Sequence, residues 1–220
     1  MKAFTVKEMY TLSETIAASI FDNAVYPWEV LKDIKDFIME LGKSLPEDKF
    51  EKRGDNIWIA KSATIAPTAC LNGPLIIDEE AEIRHCAFIR GSAIVGKKCV
   101  VGNSTELKNV ILFNKVQVPH YNYVGDSILG DKAHMGAGSI LSNFKAGGSN
   151  VVIHADKDYV TGLRKIGAIL GDYADIGCGA VLNPGTIIGK GTRVYPLTCC
   201  RGIYPENAIV KSNDNIVEMK

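Results

Sequence analysis

The stretch Ile83-Arg-His-Cys-Ala-Phe-Ile89-Arg-Gly-Ser-Ala-Ile-Val95-Gly-Lys-Lys-Cys-Val-Val101-Gly-Asn-Ser-Thr-Glu-Leu107 carries an aliphatic residue at every sixth position. The series reaches back without a miss through Ile77, Leu71 and Ile65 to Ile59, and a second run holds Leu170, Ile176, Leu182, Ile188 and Val194, with Cys200 as a weaker sixth member. Two residues before these positions the chain is usually small (Ala63, Ala69, Ala81, Ala87, Ala93, Cys99, Ala174, Ala180), and Gly often follows them. Neither the period of two of a half-buried strand nor the 3.6 of a helix gives such a spacing. A hexad reads as one short strand plus a corner. Three hexads make one triangular coil, and the sixth-residue aliphatics stack inside the resulting prism.

Working outward, residues 1 to about 52 do not obey the rule. Thr11 and Glu14 have capping-box spacing ahead of Ile16, Ala17, Ile20 and Phe21, and Trp28, Leu31, Ile34, Phe37, Ile38 and Leu41 recur at helical spacing. This predicts two helices, expected to cover one end of the prism, because a repeat stack needs a non-repeating cap. Residues 53–220 form the repeat domain. Its phase slips after Leu107, to Leu112 or Phe113, and again between Val124 and Leu129. Between Leu141 and Leu170 lies an insertion, at about 142–165, with a small hairpin predicted over Val151–Ile153 and Tyr159–Val160.

Composition excludes some roles. Lys plus Arg and Asp plus Glu balance at 25 each, so no basic excess points to nucleic acid or to an anionic membrane. The start has no signal-type apolar core and no run approaches membrane-spanning length, which leads to the expectation of a cytoplasmic protein. The six Cys include no CxxC pair and read as packing residues or free thiols.

The irregular middle holds polar residues that the repeat does not require. Arg90 follows the inward Ile89 and Lys108 follows the inward Leu107, one full coil apart, so their side chains stack on one face at a spacing near 5 Å that suits a phosphate. In Val118-Pro-His-Tyr-Asn-Tyr-Val124, His120 is a candidate general base, since an imidazole ordinarily titrates near neutrality, and Tyr123 can orient it or the substrate. Gly136-Ala137-Gly138 offers accessible backbone amides to a carbonyl, and Asn143 opens the insertion.

Three stretches together resemble a known family: Val101-Gly-Asn-Ser-Thr-Glu-Leu-Lys108, Val118-Pro-His-Tyr-Asn-Tyr-Val-Gly-Asp126 and Gly136-Ala-Gly-Ser-Ile-Leu-Ser-Asn143. They are similar to the left-handed β-helix acetyltransferase domain of bifunctional N-acetylglucosamine-1-phosphate uridyltransferases. They also resemble archaeal sugar-1-phosphate nucleotidylyltransferases that acetylate amino sugars, to which Thr161-Gly-Leu-Arg-Lys-Ile-Gly-Ala168 is similar as well. The resemblance implies an all-β fold, a left-handed parallel β-helix of hexapeptide repeats with a small N-terminal helical cap, assembled as a homotrimer. It implies an acetyl-CoA-dependent N-acetyltransferase acting on an amino-sugar phosphate or nucleotide-linked amino sugar, without the nucleotidyltransferase domain. On that template Arg90 and Lys108 hold the sugar phosphate, His120 is the base, and Tyr123 and Asn143 contact the sugar. The backbone at Ala137 meets the thioester, and acetyl-CoA lies near Cys178. His134 stands where the family usually has Asn, and Lys145 is the substitute for a family Lys whose approximate place Ser149 occupies.

Two other classes have support in the residues. One is a non-catalytic sugar-phosphate-binding or oligomerising hexapeptide-repeat protein related to UDP-N-acetylglucosamine pyrophosphorylase. The other is a metal hydrolyase, since γ-class carbonic anhydrases share the architecture. There His85 and His120 supply only two of three ligands, Gly125 and Asp126 standing where the third is expected.

Overall fold

The computed structural model describes residues 4–219. Its register turns the sixfold period into three stacked columns of parallel strands. On the first face Ile59 pairs with Ile77, Ile77 with Val95, Val95 with Leu112 and Leu112 with Leu129. The second face stacks Ile65, Ile83, Val101 and Val118. The third stacks Leu71, Ile89, Leu107, Val124, Leu141, Leu182 and Cys200. From Leu75 through Leu182 these inward side chains are buried, nearly all completely, and they form the core of a left-handed parallel β-helix.

The corners explain how the coil closes. Cys86, Ser92, Lys98, Ser104, Asn109, Lys115, Tyr121, Asp126 and Lys132 all take left-handed backbone conformations, with φ between 48° and 60°. These recur every sixth residue, except at Ser104 to Asn109 and Tyr121 to Asp126, where the step is five. Leu107 to Leu112 and Val124 to Leu129 shorten at the same two places, so Leu112, and not Phe113, takes the inward position. An L-residue in this region costs roughly 1–2 kcal/mol, less for Asn and Asp, whose short polar side chains bond locally. The two short corners carry Asn109 and Asp126.

On the first face the four strands ending at Ile77, Val95, Leu112 and Leu129 each have an outward aliphatic as well as an inward one. Ile76, Ile94, Ile111 and Ile128 point away from the core, yet none is exposed. The N-terminal segment covers them. It contains a short helix α1 (Val6–Met9), three single-turn helices at Leu12–Glu14, Ala18–Phe21 and Pro27–Val30, and one longer helix α2 (Ile34–Lys43). The segment expected across one end therefore lies along a side. A Cβ at Gly42 would lie 2.4 Å from the Trp58 indole, the amide of Asn114 donates to Glu14 O, and the amide of Asp172 donates to Met9 O. Each covered Ile contributes about 1.5–3 kcal/mol of apolar burial, which is why the segment docks here. Phe113, displaced from the core by the short step, is buried on the outside against Tyr10 and Phe21, at ring distances of 4.8 and 5.9 Å.

The capping expectation shifts too. Thr11 makes no side-chain cap, and Glu14 instead faces Asn114 and Lys115. A cap forms one turn earlier, where Glu8 accepts from the amide and hydroxyl of Thr5 at 3.0 and 2.7 Å. The insertion leaves the third face after Leu141 and returns through an antiparallel bridge between Phe144 and Lys165. Its hairpin pairs Val152–His154 with Asp158–Val160, one residue from the expected span. Among the described residues no helix is long and apolar enough to cross a membrane.

Candidate functional site

The two short corners stack on adjacent coils, and their side chains build the floor of a cleft of about 730 Å³. Asp126 is the hub. Its Oδ1 accepts from Asn109 Nδ2 at 3.0 Å, its Oδ2 accepts from Asn143 Nδ2, and Lys108 Nζ lies 3.7 Å from Oδ2. The carboxylate is almost fully covered, with its side chain 8% exposed. Asn109 also donates to Leu31 O at 3.1 Å, which ties the N-terminal segment to the cleft.

The register confirms the stacking of the two cations, since Ile89 pairs with Leu107, Leu107 with Val124, and Lys108 with Gly125. Arg90 lines the cleft beside Lys108, its Nη1 donating to Glu106 Oε1 at 2.7 Å, and this bond raises its already high pKa. Tyr123 lies along the same face. Gly125 leaves the space in which its hydroxyl and the Asn143 amide sit, since a Cβ there would come within 2.6 Å of Tyr123 Oη and 2.7 Å of Asn143 Nδ2. Burial first, then the charges of Asp126 and Glu106, push the Tyr123 phenol up, so at neutral pH it is a hydrogen-bond donor.

The other expected residues lie elsewhere. His120 is exposed at the opposite edge of the third face and does not line the cleft. Directly below and above it run Asn103, Ala137 and Cys178: the amide of Tyr121 donates to Asn103 O, that of Gly138 to His120 O, and that of Gly179 to Ala137 O. His120, Ala137 and Cys178 thus occupy one edge on successive coils. Ala137 and Cys178 are exposed, and the Ala137 amide has no hydrogen-bond partner among the described residues. His134 is not brought to the cleft. It sits on the second face with Nδ1 2.8 Å from Asp175 Oδ1. Lys145 is held in the insertion, donating to Asn150 O at 3.2 Å, and borders a separate, smaller hollow with Cys199 and Arg201. His85 lies two coils from His120, with Asn103 between, and among the described residues no group of three or more His, Cys, Asp or Glu is placed to hold a metal ion.

Asp126, Asn109, Lys32, Arg164 and Lys165 were not singled out from the sequence. The signal for the first two was the paired five-residue step, which places polar αL residues one above the other. Replacing Asp126 by Asn leaves a donor facing donors from Asn109 or Asn143 and removes the charge beside Lys108. The expected loss is about 1.5–3 kcal/mol of stability by equilibrium denaturation. An unchanged midpoint would show that the carboxylate does not hold the corner.

Fold and corners define the class: a hexapeptide-repeat protein wound as a left-handed β-helix, with a cationic cleft under an insertion. A family model described as the GMPPB C-terminal domain matches residues 71–162. The bifunctional protein GlmU of Methanococcus maripaludis is 30% identical over 200 residues, covering 89% of this chain and 48% of that protein. The bifunctional sugar-1-phosphate nucleotidylyltransferase/acetyltransferase of Sulfurisphaera tokodaii is 29% identical over 162 residues, covering 64% of this chain and 40% of it. The chain is homologous to these proteins and spans about half the length of the curated relatives it matches. Among solved structures, a putative acetyltransferase of Bacillus cereus is similar at 21% identity, covering 74% of this chain and 77% of that one, with a TM-score of 0.41. The acetyltransferase domain of PglB from Neisseria gonorrhoeae in complex with acetyl coenzyme A is similar at 16% identity, with coverages of 74% and 58% and a TM-score of 0.38.

Proposed function

We propose that the protein is an acetyl-CoA-dependent N-acetyltransferase acting on an amino-sugar phosphate or a nucleotide-linked amino sugar. The observation that carries this reading is the division of labour across one face. At one edge, Arg90, Lys108, Tyr123 and Asn143 converge on a cationic cleft, and at the other His120 and the Ala137 amide face outward on adjacent coils. The acetyltransferase activity in the name of the Sulfurisphaera tokodaii relative agrees with it.

Bound acetyl-CoA supplies the acetyl group as a thioester. The edge bearing Ala137 and Cys178 fits such a group, because its residues are exposed and a Cβ at Gly138 would meet nothing within 4 Å. The Ala137 N–H, without another acceptor, donates to the oxygen on which negative charge develops. His120 takes the proton of the attacking amine. Arg90 and Lys108 hold the phosphate, and Tyr123 and Asn143 orient the sugar between the two edges. Thiol release on incubation with acetyl-CoA and a panel of amino-sugar phosphates and nucleotide-linked amino sugars tests the reading. No release above the substrate-free rate with any of them would reject it in favour of a binding protein.

The third face also supports a homotrimer that shares the site between subunits. It presents Phe88 and Ile140 outward, with Tyr121 at its edge, all exposed in the single chain. Light scattering is expected to give three chains per particle. A monomer at micromolar concentration would sink the shared site.

A further inference from the structure

We infer that the cleft takes a nucleoside diphosphate-linked amino sugar in preference to a sugar monophosphate. This rests on the reading above and concerns which of its two substrate classes the site is built for.

Charge compensation is the first argument. The two stacked cations each already face a carboxylate, Arg90 with Glu106 at 2.7 Å and Lys108 with Asp126 at 3.7 Å. The same cleft is lined by Lys32 from the N-terminal segment and by Arg164 and Lys165 from the returning limb of the insertion. Among the described residues none of these three makes an ion pair. One phosphate seated on Arg90 and Lys108 leaves these three cations uncompensated. Two linked phosphates reach more of the five lining cations than one can, each cation they meet gaining a charge-assisted hydrogen bond.

The second argument is an aromatic ring in the lining. Phe144, the first residue of the insertion after Asn143, lines the cleft and is 42% exposed in all, and the Arg164 guanidinium lies 5.9 Å from its ring centroid. An exposed ring with a neighbouring guanidinium is a stacking shelf for a planar base. A monosaccharide phosphate gives this shelf nothing to cover. The cleft, at about 730 Å³, lies in the upper part of the range of pockets that enclose ligands much larger than a hexosamine.

Isothermal titration calorimetry on the full chain, with UDP, GDP, dTDP and glucosamine 1-phosphate as probes, tests this apart from catalysis. At least one nucleoside diphosphate is expected to bind roughly tenfold or more tighter than glucosamine 1-phosphate. Arg164→Ala, Lys165→Ala and Phe144→Ala, each checked for folding by circular dichroism, are expected to weaken that diphosphate by roughly fivefold or more and to change the monophosphate by less than about twofold. Equal or tighter binding of the monophosphate, or diphosphate affinity unchanged in the variants, would overturn the inference. Acetyl transfer is read separately. Its absence with diphosphate binding intact removes the reaction and leaves the nucleotide subsite standing.

Discussion

The Ile89→Asp variant is expected to yield no folded protein, while Phe88→Asp, one residue earlier, folds. Ile89 is fully buried between Leu71 and Leu107 on the third column, in a prism whose interior is filled by aliphatic side chains with no polar partner. A carboxylate there is desolvated and unpaired, at a cost of several kcal/mol even after it takes up a proton. It also removes an aliphatic contact from the coils on both sides. Against a domain stability of about 5–15 kcal/mol that is enough to abolish folding. Phe88 points outward from the same two-residue strand and is 36% exposed in the single chain, so its replacement leaves the stack within a chain intact and falls instead on the proposed contact between subunits. Far-ultraviolet circular dichroism and thermal melting of the pair read the outcome. A cooperative melt for Ile89→Asp at the parent temperature would mean that the inward phase assigned from Ile59 onward is wrong.

That contrast depends on the part of the fold most legible in the sequence. Steric demand inside a narrow prism admits only aliphatic side chains at one position in six, so Ile59 to Leu107 announce the columns without reference to anything distant. The slip after Leu107 was legible as a slip, but Leu112 and Phe113 are both apolar. What decides between them is the N-terminal segment, whose Tyr10 and Phe21 make an outside home for Phe113. The placement of that segment was hidden for a related reason. Ile94, Ile111 and Ile128 lie beside inward residues, and a period of six does not tell an outward aliphatic that will be covered from one that will not. In the site, Arg90, Lys108, Tyr123 and Asn143 follow from spacing and resemblance, and the structure brings them together. Lys32, Arg164 and Lys165 reach the cleft through an insertion and an appendage that carry no period, so no spacing argument could place them beside Lys108. Asp126 was visible as part of a motif, but its role exists only because two short corners are stacked.

His120→Ala is expected to lower acetyl transfer by roughly 10²–10⁴-fold, the usual contribution of a positioned general base. The chain has four histidines. His85 Nδ1 lies 3.0 Å from Thr68 Oγ1, His134 Nδ1 2.8 Å from Asp175 Oδ1 and His154 Nδ1 2.6 Å from Asp158 Oδ1. Among the described residues only the His120 imidazole has no hydrogen-bond partner, which leaves a ring nitrogen open to accept a proton from substrate. The His120 backbone stands one coil from that of Ala137, so base and oxyanion donor issue from strands one spacing apart, on the order of 5 Å. Coenzyme A affinity is expected to change little, because the cofactor edge runs on past Ala137 to Cys178. Arg90→Ala differs in kind: a phosphate remote from the reacting amine is held alike in ground and transition states, so KM rises more than kcat falls. His85→Ala, two coils away and bonded to Thr68, serves as the control with parental rates. Steady-state kinetics on the three variants separate these outcomes. Equal losses in all three would indicate a folding defect, and full activity in His120→Ala would remove the proposed base.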